Sequence, residues 1–260
     1  MKNIEIIEAE QFFSFTQNGY SRPARLGCSR ADGSKVDVYV KFIGGVEARE
    51  FGLVAELLCS LLAREIGLNV PTPFIVNLSP DFLAGVPKVA QDLVKRSLGL
   101  NFASESTPTG FSLVPPEPRV PLALRSSAAE VFAFDVIVQN CDRKADNPNL
   151  LWDRSKIMLI DHERALGFVR DNPAPSFSSL ELDRYYDHVF YSAVSTNDAE
   201  FGRLTDALGH LTAARIETLL GKIPEPWQVQ EDLAKVRDHL SWVVANRLQV
   251  CNLIRDRLTS

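Results

Sequence analysis

Asn140-Cys-Asp-Arg-Lys-Ala-Asp-Asn-Pro-Asn149, followed by Leu150-Leu-Trp152 and Ile157-Met-Leu-Ile-Asp-His-Glu163, is the stretch that decides how this chain reads. Asp142 and Asn147 form D-x-x-x-x-N in a polar loop, and Asp161 closes a short apolar strand a little further on. Asp and Asn are common in loops because their side chains form Asx-turns and caps, so either residue alone says little. Their order, with apolar elements between them, says more. A transferring phosphoryl group and its neighbours carry several negative charges, which metal ions must neutralise while a carboxylate orients the attacking hydroxyl. Mg2+ prefers oxygen ligands and takes only one or two carboxylates from a protein. Asp142 suits the hydroxyl; Asn147 and Asp161 suit the metal.

Upstream of this loop, Ser126 to Val138 has helical spacing, with Ser126 or Ser127 as N-cap. Before it, Pro108, Pro115, Pro116, Pro118 and Pro121 sit among Ser, Thr and Glu, which excludes both helix and central strand and marks a seam. Residues 1–45 read as strands. Lys35-Val-Asp-Val-Tyr-Val-Lys-Phe42 alternates side to side after an Asp32-Gly33 turn signal. Glu47 to Gly67 predicts a helix, with Leu53, Val54, Leu57, Leu58, Leu61 and Leu62 on the repeat and Gly67 as its stop. Phe74 to Leu78 predicts another strand. Beyond about residue 200 helical spacing prevails, as in one helix from Glu231 to Arg257. The expected fold class is α+β and bilobal, with a β-rich lobe over residues 1–104 and a mainly helical lobe over 105–260.

Lys41 closes the alternating strand on the face of Lys35, Asp37 and Tyr39, where a solvated lysine is the plain reading. In phosphoryl transfer such a lysine grips the nucleotide's α- and β-phosphates and pairs with a helix glutamate. Glu47, Glu50 and Glu56 are the candidates for that partner. Glu56 is preferred, because it lies between Ala55 and Leu57 inside the apolar repeat, where an unpaired carboxylate is costly. Glu47 and Glu50 suit the first turn, where the helix dipole favours acids.

The bulk numbers narrow the setting. With 260 residues, 45% hydrophobic and 23% charged, the chain has an ordinary globular composition. A net charge of −5 argues against sequence-independent nucleic-acid binding, which needs surplus Lys and Arg. The first ten residues lack a signal peptide's apolar stretch, and Leu53 to Ala63 is too short to span a bilayer, so no membrane role is expected. The four cysteines, Cys28, Cys59, Cys141 and Cys251, are scattered in a way that suits reduced thiols in a cytoplasm. His188, His210 and His239 lack metal-ligand spacing and read as structural. Arg143 and Lys144, beside Asp142, read equally as phosphate contacts or as solvated loop charges.

Taken together, Val38-Tyr-Val-Lys-Phe42, Ala55-Glu-Leu-Leu58, Ala63-Arg-Glu-Ile-Gly-Leu-Asn-Val-Pro71, Phe134-Asp135, Asn140-Cys-Asp-Arg143, Asn147-Pro-Asn149 and Ile160-Asp-His162 resemble the HipA-like kinase family in its short stand-alone form. The resemblance implies a protein-kinase-like fold that binds ATP and Mg2+ and phosphorylates a serine or threonine hydroxyl. It carries Asp142 onto the catalytic base, Asn147 and Asp161 onto the metal positions, Lys41 onto the phosphate-binding lysine and Glu56 onto its partner. Asn18-Gly-Tyr-Ser-Arg-Pro23 resembles the phosphate-covering loop, which puts Gly19, Ser21 and Arg22 at the nucleotide. Leu100-Asn-Phe-Ala-Ser104 becomes the inter-lobe hinge, with Phe102, Ala103 and Ser104 offering backbone groups to adenine. Expected partners are ATP, a protein or small-molecule hydroxyl, and a possible protein encoded nearby. A pseudokinase or partner-regulating module and a small-molecule kinase stand as alternatives.

Overall fold

The alternating segments of the first third pair with one another and close. In the computed structural model, which describes residues 4–16, 21–171, 174–194 and 201–259, five strands form a barrel in the order β1-β2-β3-β5-β4. They are β1 Ile6–Phe15, β2 Ala24–Ser29, β3 Lys35–Lys41, β4 Pro73–Leu78 and β5 Gly99–Glu105. Four of the pairings are antiparallel, and a parallel pairing of β1 with β4 closes the ring. Period-two alternation turns Leu26, Val38, Val40 and Val76 inward. Without free edges, the barrel leaves no ladder open to a stray strand.

Between β3 and β4 runs α1, Glu50–Glu65, which is buried from Phe51 through Ala63. A helix apolar all round must be covered on all sides. It joins the larger of two cores, where the barrel residues Ile75 and Phe102 also reach it, rather than the barrel interior. The barrel interior is capped instead by α2, Pro80–Gly85, and α3, Lys88–Lys95, through Phe82, Ala90, Leu93 and Val94.

The turn from β3 into α1 is pinned by two fully buried polar residues, Ser97 and Asn101. Asn101 Oδ1 accepts the Ile43 N–H at 2.8 Å and its Nδ2 donates to the Ser97 carbonyl at 2.7 Å, while Ser97 Oγ accepts the Gly44 N–H at 3.0 Å. Gly45 permits a close pass: a Cβ there would lie 2.5 Å from the Ser21 carbonyl oxygen. Asn101→Ala removes one partner from the first two of these bonds and is expected to cost about 2 kcal/mol in chemical denaturation, because buried polar groups are left unpaired.

After β5 the proline-rich segment supplies only a two-residue edge strand, β6 Ser112–Leu113. It flanks β7, Leu150–Trp152, which pairs in turn with β8, Ile157–Leu159. The rest is helical: α4 Arg125–Ile137, α5 Gly167–Asp171, α6 Tyr191–Val194, α7 Gly202–His210, α8 Ala213–Leu220, α9 Gln230–Ala245 and α10 Arg247–Thr259. Two local expectations need correction. Neither Ser126 nor Ser127 caps α4; Leu124 is the N-cap and makes no side-chain cap bond. The single helix expected from Glu231 to Arg257 is two, broken at Asn246, whose side chain turns back to the Trp242 carbonyl at 2.8 Å. Asn competes for backbone groups in this way and so disfavours helix interiors. Among the described residues, no helix is long and apolar enough to cross a membrane.

Candidate active site

Hairpin geometry brings the two halves of the decisive stretch together. Leu150 pairs with Leu159 and Trp152 with Ile157, and the Ile160 N–H donates to the Asn149 carbonyl at 3.2 Å. The end of the Asp142 loop therefore lies beside the start of Asp161-His-Glu163. Asp161 itself has φ +59, a left-handed conformation that Asp tolerates better than most residues and that often marks functional sites.

Lys41, at the end of β3, is the meeting point. Alternation places it on the face of the exposed Lys35 and Tyr39, yet it is only 7% exposed. Its Nζ lies 2.8 Å from Asp161 Oδ1, 2.8 Å from Glu163 Oε2, 3.4 Å from Glu56 Oε1 and 3.3 Å from Ser21 Oγ. Four separate segments thus converge on one ammonium: the loop between β1 and β2, α1, β3, and the chain beyond β8. Burial alone would lower the Lys41 pKa, but Asp161, Glu56 and Glu163 outweigh it and hold the ammonium above its ordinary value. Glu56 is 1% exposed. Burial pushes its carboxyl up, but Lys41 and then His162 bring it down to about 2. Its Oε2 accepts the His162 backbone N–H at 3.0 Å, so one helix glutamate holds both the lysine and the segment carrying Asp161.

Asp142 is half-buried. It accepts a hydrogen bond from Asn147 Nδ2 at 3.0 Å and faces Arg164 Nη1 at 3.8 Å. Burial raises its pKa, and the Asp161 charge adds to the rise against the pull of Arg164. Asn147 is exposed, and its amide closes back over the Asp142 loop.

The loop is held from beneath by a charge that sequence reasoning did not place there. Arg143 is 1% exposed and anchors structure, which corrects the reading of it as a phosphate contact or solvated charge. Its Nε donates to Asp135 Oδ2 at 2.6 Å and its Nη1 to the carbonyls of Asn149 and, at 3.1 Å, Ile160. The same guanidinium therefore ties α4 to both ends of the β7–β8 hairpin. Asp135, on α4, is fully buried and also meets Asn140 Nδ2 at 3.2 Å and His188 Nε2 at 2.9 Å. His188 Nδ1 accepts the Phe190 N–H at 3.1 Å, so the ring carries its proton on Nε2 and donates it to Asp135. The signal for this network was available: a carboxylate between Phe134 and Val136 in an apolar helix needs a partner as much as Glu56 does.

Other expected positions fall as follows. Ser21 is at the site, whereas the Arg22 guanidinium lies over the Phe15 ring, 4.2 Å from its centroid. Gly19 lies outside the described residues. Leu100 to Ser104 is the body of β5, flanked by β3 and β4, so the Phe102, Ala103 and Ser104 backbone, expected to face adenine, lies within the sheet ladders rather than in an open linker. The carboxylate missed beside Asp161 is Glu163, two residues on, whose pKa is raised by burial against the pull of Lys41.

Fold and site together define a kinase-like α+β protein. The crystal structure of a Helicobacter pylori proinflammatory kinase, CtkA, matches over 97% of this chain and 98% of its own, at 13% identity and a TM-score of 0.52, a likeness that shows the fold. The crystal structure of the Golgi casein kinase with Mn/ADP bound matches over 96% of this chain and 74% of its own, at 11% identity and a TM-score of 0.49. No curated protein matches the sequence. The sequence profile described as "HipA-like kinase" matches residues 11–253, and the chain belongs to that family, a family of kinase-type phosphotransferases.

Proposed function

We propose that the chain is an ATP-dependent kinase that transfers the γ-phosphoryl group to a serine or threonine hydroxyl, and the observation that carries this is the convergence on Lys41. A buried ammonium backed by Glu56 is the arrangement that binds the α- and β-phosphates of a nucleotide. Asp142, with its raised pKa, orients the acceptor hydroxyl and takes its proton. The donor set fits a hard divalent cation, because every side-chain group on offer is oxygen and three carboxylates surround a single ammonium. Asp161 and Asn147 would hold Mg2+, which supplies neutralisation of phosphate charge when bound. Ser21, with Gly19 beyond it, covers the phosphates. The chain after Glu105 takes over the hinge role, with residues 1–104 as the nucleotide-binding lobe and 105–260 as the catalytic lobe. A cytoplasmic setting fits four cysteines that form no disulfide. The acidic net charge favours a protein or small-molecule acceptor over nucleic acid.

The test is thermal unfolding with ADP and Mg2+. Saturating nucleotide at about 100 times Kd adds about 2.7 kcal/mol, a rise of several degrees in the midpoint. EDTA should remove most of that rise and should lower ATP turnover or autophosphorylation by about a hundredfold or more. A midpoint that ignores nucleotide, together with no ATP consumption, contradicts the proposal.

A further inference from the structure

Glu163 figures above only as one of the three carboxylates around Lys41, with no step of its own, yet its contact with Lys41 is as short as that of Asp161, at 2.8 Å. An ammonium has three protons to give. Those of Lys41 face Asp161, Glu163 and Ser21, while Glu56 Oε1, at 3.4 Å, accepts no hydrogen bond. A lysine so engaged has no donor left for a phosphate. For nucleotide to bind, one of these partners must let go. Glu56 is fixed in α1 and to the His162 N–H, and Asp161 is the carboxylate the metal needs. Among the described residues, Glu163 is held only by Lys41 and the Ser21 hydroxyl, is tied to no backbone group, and keeps a 12% exposed side chain, which gives it a way out.

We propose that Glu163 is an internal competitor of the nucleotide: its carboxylate holds the Lys41 ammonium in the place of a phosphate oxygen and must be displaced when nucleotide enters. The inference rests on the kinase reading and adds a residue that sets nucleotide affinity. Neutralising Glu163 leaves Lys41 paired with Glu56 and Asp161 and frees one donor.

Calorimetric titration of ADP into Glu163→Gln and wild type, each in EDTA and in Mg2+, tests this. Glu163→Gln should bind metal-free ADP about tenfold more tightly than wild type, the factor expected when one charge-assisted hydrogen bond no longer has to be broken. Glu163→Ala should shift affinity in the same direction, and both variants should melt cooperatively. A merely structural role for Glu163 predicts the opposite sign, a loss of affinity. Equal or weaker ADP binding by both variants, with wild type still binding, overturns the inference and leaves the kinase reading intact. If wild type binds no ADP in either condition, the kinase reading falls and this inference falls with it.

Discussion

Asp161→Asn is expected to lower phosphoryl transfer by about a thousandfold while leaving the unfolding midpoint within a few degrees of wild type. The choice of Asn matters. At φ +59 most residues are strained, whereas Asn tolerates the left-handed region as Asp does, so the backbone is kept. Asn also keeps the shape of the side chain and removes only its charge. Lys41 retains Glu56 and Glu163, so no buried ammonium is stranded. A steady-state assay of ATP turnover alongside a melting curve separates the two effects. Activity near wild type would remove Asp161 from the chemistry; a collapse of the fold would make its role structural.

Asp135→Ala should produce the largest change in stability, a loss of about 3–5 kcal/mol, because removing one partner leaves the fully buried Arg143 charge uncompensated. In a chain of this size that lowers the midpoint by about 10 °C. Asp135→Asn keeps one acceptor oxygen for Arg143 and His188 but turns an NH2 toward the Asn140 amide, and should lose less than Asp135→Ala. The sign of the pH dependence follows from the carboxyl itself. Burial pushes Asp135 up, but Arg143 and His188 outweigh it, and its folded pKa lies below the ordinary carboxylate range. Its stabilisation is therefore full above the unfolded value of about 3.9 and is lost as pH falls through the folded value. The gap between wild type and Asp135→Asn should be wide at pH 7 and narrow in strong acid. A gap independent of pH would mean that the charge does not matter.

The contacts legible in the sequence are those whose local pattern conflicts with a bland explanation. Glu56 could be singled out because a carboxylate inside a leucine repeat must be paired, and it lies 3.4 Å from Lys41. The strands flanking Asp142 and Asp161 were visible as short apolar runs, and hairpin pairing did the rest. Arg143 was not legible, because a guanidinium in a polar loop looks solvated until the fold buries it. Its partner, Asp135, obeys the same rule as Glu56 but lies in another element. The strand character of Leu100 to Ser104 was not legible because β5 is buried on both faces from Asn101 to Ala103 and so lacks the alternation that exposes a strand. Helices α2 and α3 were passed over because both are short and open on prolines, Pro80 as the first residue of α2 and Pro87 as the N-cap of α3. Glu163 carried no signal of its own in the sequence; its contact with Lys41 is a tertiary fact.

A crystal structure with Mg2+ and a non-hydrolysable ATP analogue tests the central claim most directly. The account predicts Mg2+ on Asp161 and Asn147, Lys41 turned to the α- and β-phosphates with Glu56 behind it, and Asp142 facing open space beyond the γ-phosphate. Nucleotide bound away from Lys41, or a metal ion that touches neither Asp161 nor Asn147, would contradict it.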